Sequence, residues 1–147
     1  MNISVNIKKL DDRAVIPTRG SLSAAGADLY AVLDQPLEIG AGKTEFVHTG
    51  IAMEIPQGYV GLVFARSGLS CKRHVAPANK VGVIDSDYRG EIMVALHNHS
   101  EEPQIIDVGE RIAQIVICPY LAADFNEVDQ LCDTVRGQGG FGSTGKK

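Results

Sequence analysis

Apolar and polar residues alternate with a period of two in several short stretches of this chain, and helical periodicity is scarce. Ile3, Val5 and Ile7 are spaced for a half-buried strand, and Ile51, Met53 and Ile55 follow the same period ahead of Pro56. Further strand-like runs cover residues 43–49, 59–65, 91–98 and 111–118, each bounded by Gly, Pro, Asn, Asp or Ser turn signals. One short helix is predicted over residues 67–73, entered at Ser67. Several short strands separated by turns indicate an all-β domain: a sandwich, a jelly roll or a distorted barrel.

Composition narrows the class without changing that picture. With 147 residues, 44% apolar and 22% charged, the chain suits one folded domain with one core. No apolar run approaches the roughly 20 residues that span a bilayer, and MNISVNIKK lacks an apolar signal core, so a cytoplasmic protein without membrane attachment is expected. A net charge of -4 argues against direct binding of nucleic acid through bulk positive charge, while leaving room for a small polyanion. Cys71, Cys118 and Cys132 form no C-x-x-C pair and are odd in number, which fits a reducing compartment better than a disulfide framework.

The composition shifts at the end of the chain. Residues 134–147, TVRGQGGFGSTGKK, hold five glycines and no acidic side chain, and divide the sequence into a folded part, 1–133, and a Gly-rich tail, 134–147. Arg136, Lys146 and Lys147 make the tail cationic, its backbone with Ser143 and Thr144 offers donors to phosphate oxygens, and Phe141 is free to stack on a planar base. The spacing from Gly140 to Lys146 imitates a P-loop. Lys147 stands where Ser or Thr should hold the metal, and no helix can follow, so that reading fails.

Four internal segments carry candidate chemistry. GVIDSDYRGEI, residues 82–92, reads as a polar hairpin turn that displays the Asp85 carboxylate and the Tyr88 ring together, suited to orienting a water beside a sugar or base. ARSGLS brings Arg66, Ser67 and Gly68 to the start of the helix, where a cation, a hydroxyl and free amides converge on an anion. AAGADLYA places Asp28 among small and apolar neighbours, where an acid must be paired, hydrogen-bonded or near a metal. RIAQIVI inserts Gln114 into a β-branched run, either as a satisfied core amide or as a phosphate contact.

Taken in order, AGADLYA, ARSGLS, GVIDSDYRGEI, RIAQIVI and RGQGGFGSTG resemble the five motifs of the homotrimeric deoxyuridine triphosphatase (dUTPase) family, from Ile3 to Gly145. The resemblance implies a jelly-roll-like β-barrel and Mg2+-assisted hydrolysis of dUTP to dUMP and pyrophosphate, which keeps uracil out of DNA and supplies the thymidylate precursor. Carried over by motif, Asp85 would orient the attacking water toward the α-phosphorus, and Tyr88 would pack under the deoxyribose. Asn79, Val81 and Gly82 would cradle uracil. Arg66, Ser67, Gly68 and Gln114 would contact the phosphates, with Asp28 in the outer shell of Mg2+. The tail would close over substrate, with Phe141 on uracil and Arg136, Gly142, Ser143 and Thr144 on the phosphates, at sites shared between subunits.

Two other readings remain open at this level: a dCTP deaminase of related fold, and a regulatory protein whose nucleotide-dependent tail closure recruits a partner. Cys71 and His74 read as ordinary residues of the short helix. His97 and His99 alternate along a strand with no third ligand nearby, so they read as part of a polar strand face.

Overall fold

The computed structural model describes residues 3–140; Phe141, Gly142, Ser143 and Thr144 lie outside the described residues. Along the chain the elements are β1 (Asn6–Lys9), β2 (Ala27–Tyr30), β3 (Leu37–Ile39), β4 (Thr44–Val47), β5 (Ile51–Glu54), β6 (Tyr59–Phe64), α1 (Ser67–Arg73), β7 (Val75–Pro77), β8 (Gly82–Ile84), β9 (Val94–Asn98), β10 (Gln104–Ile106) and β11 (Arg111–Pro119). The strands form small antiparallel sheets in a jelly-roll-like arrangement: β2-β11-β6-β8, β4-β9-β7, and the pairs β1-β5 and β3-β10. No helix among the described residues is long and apolar enough to cross a membrane.

The longest strand organises the first sheet. β11 is a β-branched run that buries Ile112, Ala113 and Ile115 and pairs with β2 on one side and β6 on the other. Its neighbours in the core are Leu29, Ile39, Ile51, Ile92, Leu96 and Ile106, all essentially inaccessible to solvent. The buried Asn98 completes this packing without an orphan group. Its amide donates to the carbonyls of Ile39 and Glu102, at 2.9 and 2.8 Å, while its oxygen accepts from the backbone and hydroxyl of Ser100.

The predicted helix has the observed bounds, with one correction at its start. Arg66, in an extended conformation, is the cap residue, and Ser67 already lies in the first turn with no side-chain cap bond. At the other end His74 falls outside the helix as a left-handed cap, its φ of 56°. A second correction concerns residues 85–91. They do not close a hairpin: β8 belongs with β6, whereas β9 pairs with β4 and β7, so the segment crosses from one sheet to another. The stretch 51–55 is also more deeply buried than half, because Ala52 faces protein as well as Ile51 and Met53.

Candidate active site

Two clefts hold six of the candidate residues among 3–140, whereas Asn79, Val81, Gly82, Tyr88 and Arg136 line neither. The smaller, about 240 Å³, is lined by Asp28, Arg66, Ser67, Gly68 and Gln114, together with Gly26 and Arg111. The pairing of β2 with β11 builds it, because Gln114 stands directly opposite Asp28 in that ladder. Gln114 also donates to the carbonyl of Ala65 at 2.9 Å, at the point where β6 gives way to α1. Asp28 satisfies the demand of its apolar surroundings by pairing. Its two oxygens accept from Arg66 Nε at 2.8 Å and from an Arg111 guanidinium nitrogen at 3.2 Å.

This cleft therefore carries two guanidinium groups around one carboxylate, a net positive site with the amides of the α1 start beside it. Arg66 also donates to the carbonyl of Arg111 at 3.3 Å, which fixes the plane of its guanidinium further. Arg111 was not legible as a site residue. Only its position at the head of RIAQIVI, opposite Tyr30 and next to a β-bulge, carries it to Asp28. Gly26 was equally silent: a Cβ there would stand 2.3 Å from the Gln114 side-chain oxygen, so only glycine leaves room for that amide.

The larger cleft, about 830 Å³ and open, is lined by Asp85, Asp87, Glu54 and Arg89 among others, with no residue in common with the first. The crossing segment that carries Asp85 is braced from within. Tyr88 N donates to the carbonyl of Asp85 at 3.2 Å, and Arg89 donates to the carbonyls of Ser86 and Tyr88 at 2.7 and 3.0 Å. Tyr88 is fixed at its hydroxyl, which donates to the carbonyl of Glu91 at 2.9 Å. The Glu91 carboxylate in turn accepts from the backbone of Gly50 at 2.8 Å and meets His48 Nδ1 at 2.9 Å, tying the segment to the turn before β5. Gly90 makes the Tyr88 position accessible, since a Cβ there would lie 2.4 Å from the tyrosine oxygen. Asn79, Val81 and Gly82 lead into Asp85 through β8, and the Asn79 amide nitrogen stands 3.4 Å from where a Cβ on Gly82 would lie.

The β6–β8 register separates the two clefts. Ile84 lies opposite Gly61 near the start of β6, so Asp85 stands at that end of the strand. Arg66 follows the opposite end, beyond Phe64. Continuing that register sets Asp85 opposite Val60, six residue steps from Arg66, which is at most roughly 20 Å of backbone at about 3.3 Å per residue. Arg136 joins neither group; it lies past the last strand, where its guanidinium donates to the carbonyl of Gly139 at 2.9 Å.

This is a jelly-roll-like β protein with a cationic cleft at one end of β6 and a braced Asp–Tyr segment at the other. The comparisons with known proteins make the class specific. The dUTPase family model matches residues 12–145, and the chain belongs to the dUTPase family. Deoxyuridine 5'-triphosphate nucleotidohydrolases of Desulfitobacterium hafniense and Nautilia profundicola are each 48% identical to it, covering 99% and 98% of this chain and 97% and 100% of theirs. Among solved structures, a variant of the Staphylococcus bacteriophage 80alpha dUTPase with dUpNHpp superposes with a TM-score of 0.86 at 27% identity, covering 98% of this chain and 99% of that one.

Proposed function

We propose that this protein hydrolyses dUTP to dUMP and pyrophosphate at sites formed where one copy's phosphate cleft meets another copy's Asp85 segment, within a homotrimer. The observation that carries this reading is the separation of the two clefts along β6. A carboxylate whose backbone lies up to roughly 20 Å along the sheet from that of Arg66 is poorly placed to orient water at a phosphate held by that same chain's arginine. Family membership supplies the chemistry, and the separation supports a shared site.

In this reading Arg66, Ser67, Gly68 and Gln114 hold the triphosphate. Asp85 of another copy orients a water for in-line attack on the α-phosphorus, and the pyrophosphate leaves. Tyr88 lies against the deoxyribose and crowds out a 2'-hydroxyl, while Asn79, Val81 and Gly82 present backbone groups to uracil. Residues 134–147 act as a lid on the body formed by 1–133, with Arg136, Gly142, Ser143 and Thr144 toward the phosphates and Phe141 toward the base. Three free cysteines fit a cytoplasmic setting.

The residues present fit Mg2+. Asp28 is the carboxylate of the phosphate cleft; its pairs with Arg66 and Arg111 use one acceptor site on each oxygen, leaving others for a water of a hydrated hard cation. When bound, Mg2+ would neutralise phosphate charge and polarise the bond that breaks. A structure of the phage phi11 dUTPase from S. aureus, 23% identical, is described as revealing coordination of a structural Mg(II) ion.

The test is incubation with Mg2+ and, separately, dUTP, UTP, dTTP, dCTP or dATP, resolving nucleotide, pyrophosphate, phosphate and ammonia. Loss of dUTP alone, giving dUMP and pyrophosphate, is expected. Survival of dUTP, or ammonia released from dCTP, would overturn the assignment.

A further inference from the structure

One side-chain cluster stands apart from both clefts. His97 lies near the end of β9 and His99 one residue beyond it, and their side chains meet on one side of the chain. Their rings meet edge to face, with centroids 4.4 Å apart and planes inclined by 65°. The strand beneath them is pinned on both sides: His97 lies opposite Thr44 of β4 and Ala76 of β7, and His99 N donates to the carbonyl of His74 at 2.8 Å.

A chelated metal demands a particular ring spacing. Zinc binds imidazole nitrogen at about 2.0–2.1 Å, so the ion lies about 3.2 Å from each ring centre. Two such rings subtending about 90° to 109° at the ion have centres about 4.5 to 5.2 Å apart. The observed 4.4 Å falls just below that range and the rings meet edge to face, so binding an ion requires the pair to open slightly and one ring to turn until both nitrogens face the ion.

One side-chain contact bears on the ligating atom of His97. Thr44 Oγ1 lies 2.8 Å from His97 Nδ1; with Nδ1 donating, the lone pair is on Nε2, and the threonine acts as the outer partner that holds a ligand ring in place. Among the described residues no group of three or more His, Cys, Asp or Glu side chains is arranged to hold an ion, so water would complete the shell. Two nitrogen donors without a carboxylate suit borderline first-row cations and offer little to Mg2+ or Ca2+.

We propose that His97 and His99 form a two-histidine chelate for a borderline divalent cation of the Zn2+, Ni2+ or Cu2+ type, separate from the nucleotide site. The experiment is titration of the full chain, without nucleotide, with NiCl2, ZnCl2 and MgCl2, followed by calorimetry and by the histidine ring signals in NMR. One Ni2+ or Zn2+ per chain is expected, perturbing the His97 and His99 rings and not His48. His99→Ala and His97→Ala should each weaken binding by more than about tenfold and Thr44→Val by about tenfold, while His48→Gln leaves it unchanged. His99 is exposed at the strand end, so His99→Ala serves even if His97→Ala fails to fold. Absence of saturable binding, affinity unchanged in His99→Ala, one ion per three chains, or Mg2+ binding as tightly as Ni2+ would each overturn the proposal.

Discussion

Asp28 and Arg66 meet at 2.8 Å, carboxylate oxygen to Nε, inside a cleft whose second arginine, Arg111, reaches the other oxygen of the same carboxylate. Two positive charges are thus held close together before any ligand arrives. Asp28 makes that arrangement tolerable, because removing it would leave two guanidinium groups facing each other in a partly buried site.

Asp28→Asn should therefore damage ligand positioning as well as stability. Loss of charge-assisted bonds to both arginines is expected to cost about 2 kcal/mol in urea unfolding. Steady-state kinetics with dUTP should show kcat/KM down by roughly tenfold or more. Wild-type kinetics in this variant would remove Asp28 from the phosphate site.

The Tyr88 position depends on a glycine two residues on. A methyl group at residue 90 would collide with the tyrosine oxygen, so Gly90→Ala should displace the ring and break its bond to the Glu91 carbonyl. The preference for dUTP over UTP is then expected to fall by roughly 10- to 100-fold, as in Tyr88→Ala. Competition between the two nucleotides measures it, and an unchanged ratio in both variants would separate Tyr88 from sugar selection.

Truncation after Val135 removes Arg136 and the remaining tail while sparing every strand of the described residues, since β11 ends at Pro119. Turnover of dUTP should drop by roughly tenfold or more, with the oligomer intact by light scattering. A truncated protein that turns over dUTP normally would contradict the lid.

At the surface, Arg13 holds the Asp11 carboxyl at about 2, chiefly through its side-chain hydrogen bonds, against an ordinary value of 3.8. A depressed carboxyl contributes stability above its unfolded pKa and loses it as pH falls through the folded one. The contribution of this pair should thus be complete above about pH 4 and vanish toward pH 2. NMR titration checks it: Arg13→Ala should return the Asp11 midpoint toward 3.8.

Much of this fold was legible because its longer strands are β-branched and aliphatic runs bounded by turn residues. The runs ending in β6 and β11 match the observed strands to within a residue, since both are rich in β-branched and aliphatic residues. β3 and β10 were not legible, because three residues are too few to show a period. The turn residues of 85–90 suggested a hairpin, but turn chemistry says where a chain bends and not which sheet it joins next.

The site was legible by residue type and not by arrangement. Asp28, Arg66, Ser67, Gly68 and Gln114 converge as their chemistry suggested, through the facing register of β2 and β11. Arg111 was hidden because a lone arginine at a strand head has no local signature; its role comes from a partner 83 residues away. The distance from Arg66 to Asp85 was hidden for a similar reason, being a property of β6 pairing with β8.

That distance supplies the most direct measurement. Asp85→Asn and Arg66→Ala proteins, each inactive alone, should be unfolded together, refolded as mixed oligomers and assayed for dUMP release from dUTP. If the two clefts of different copies form each site, about a quarter of the sites in an equal mixture pair two intact halves, and activity returns to about that level. Activity that stays at the level of the separate variants, in mixed oligomers verified by mass spectrometry, would contradict a site shared between subunits.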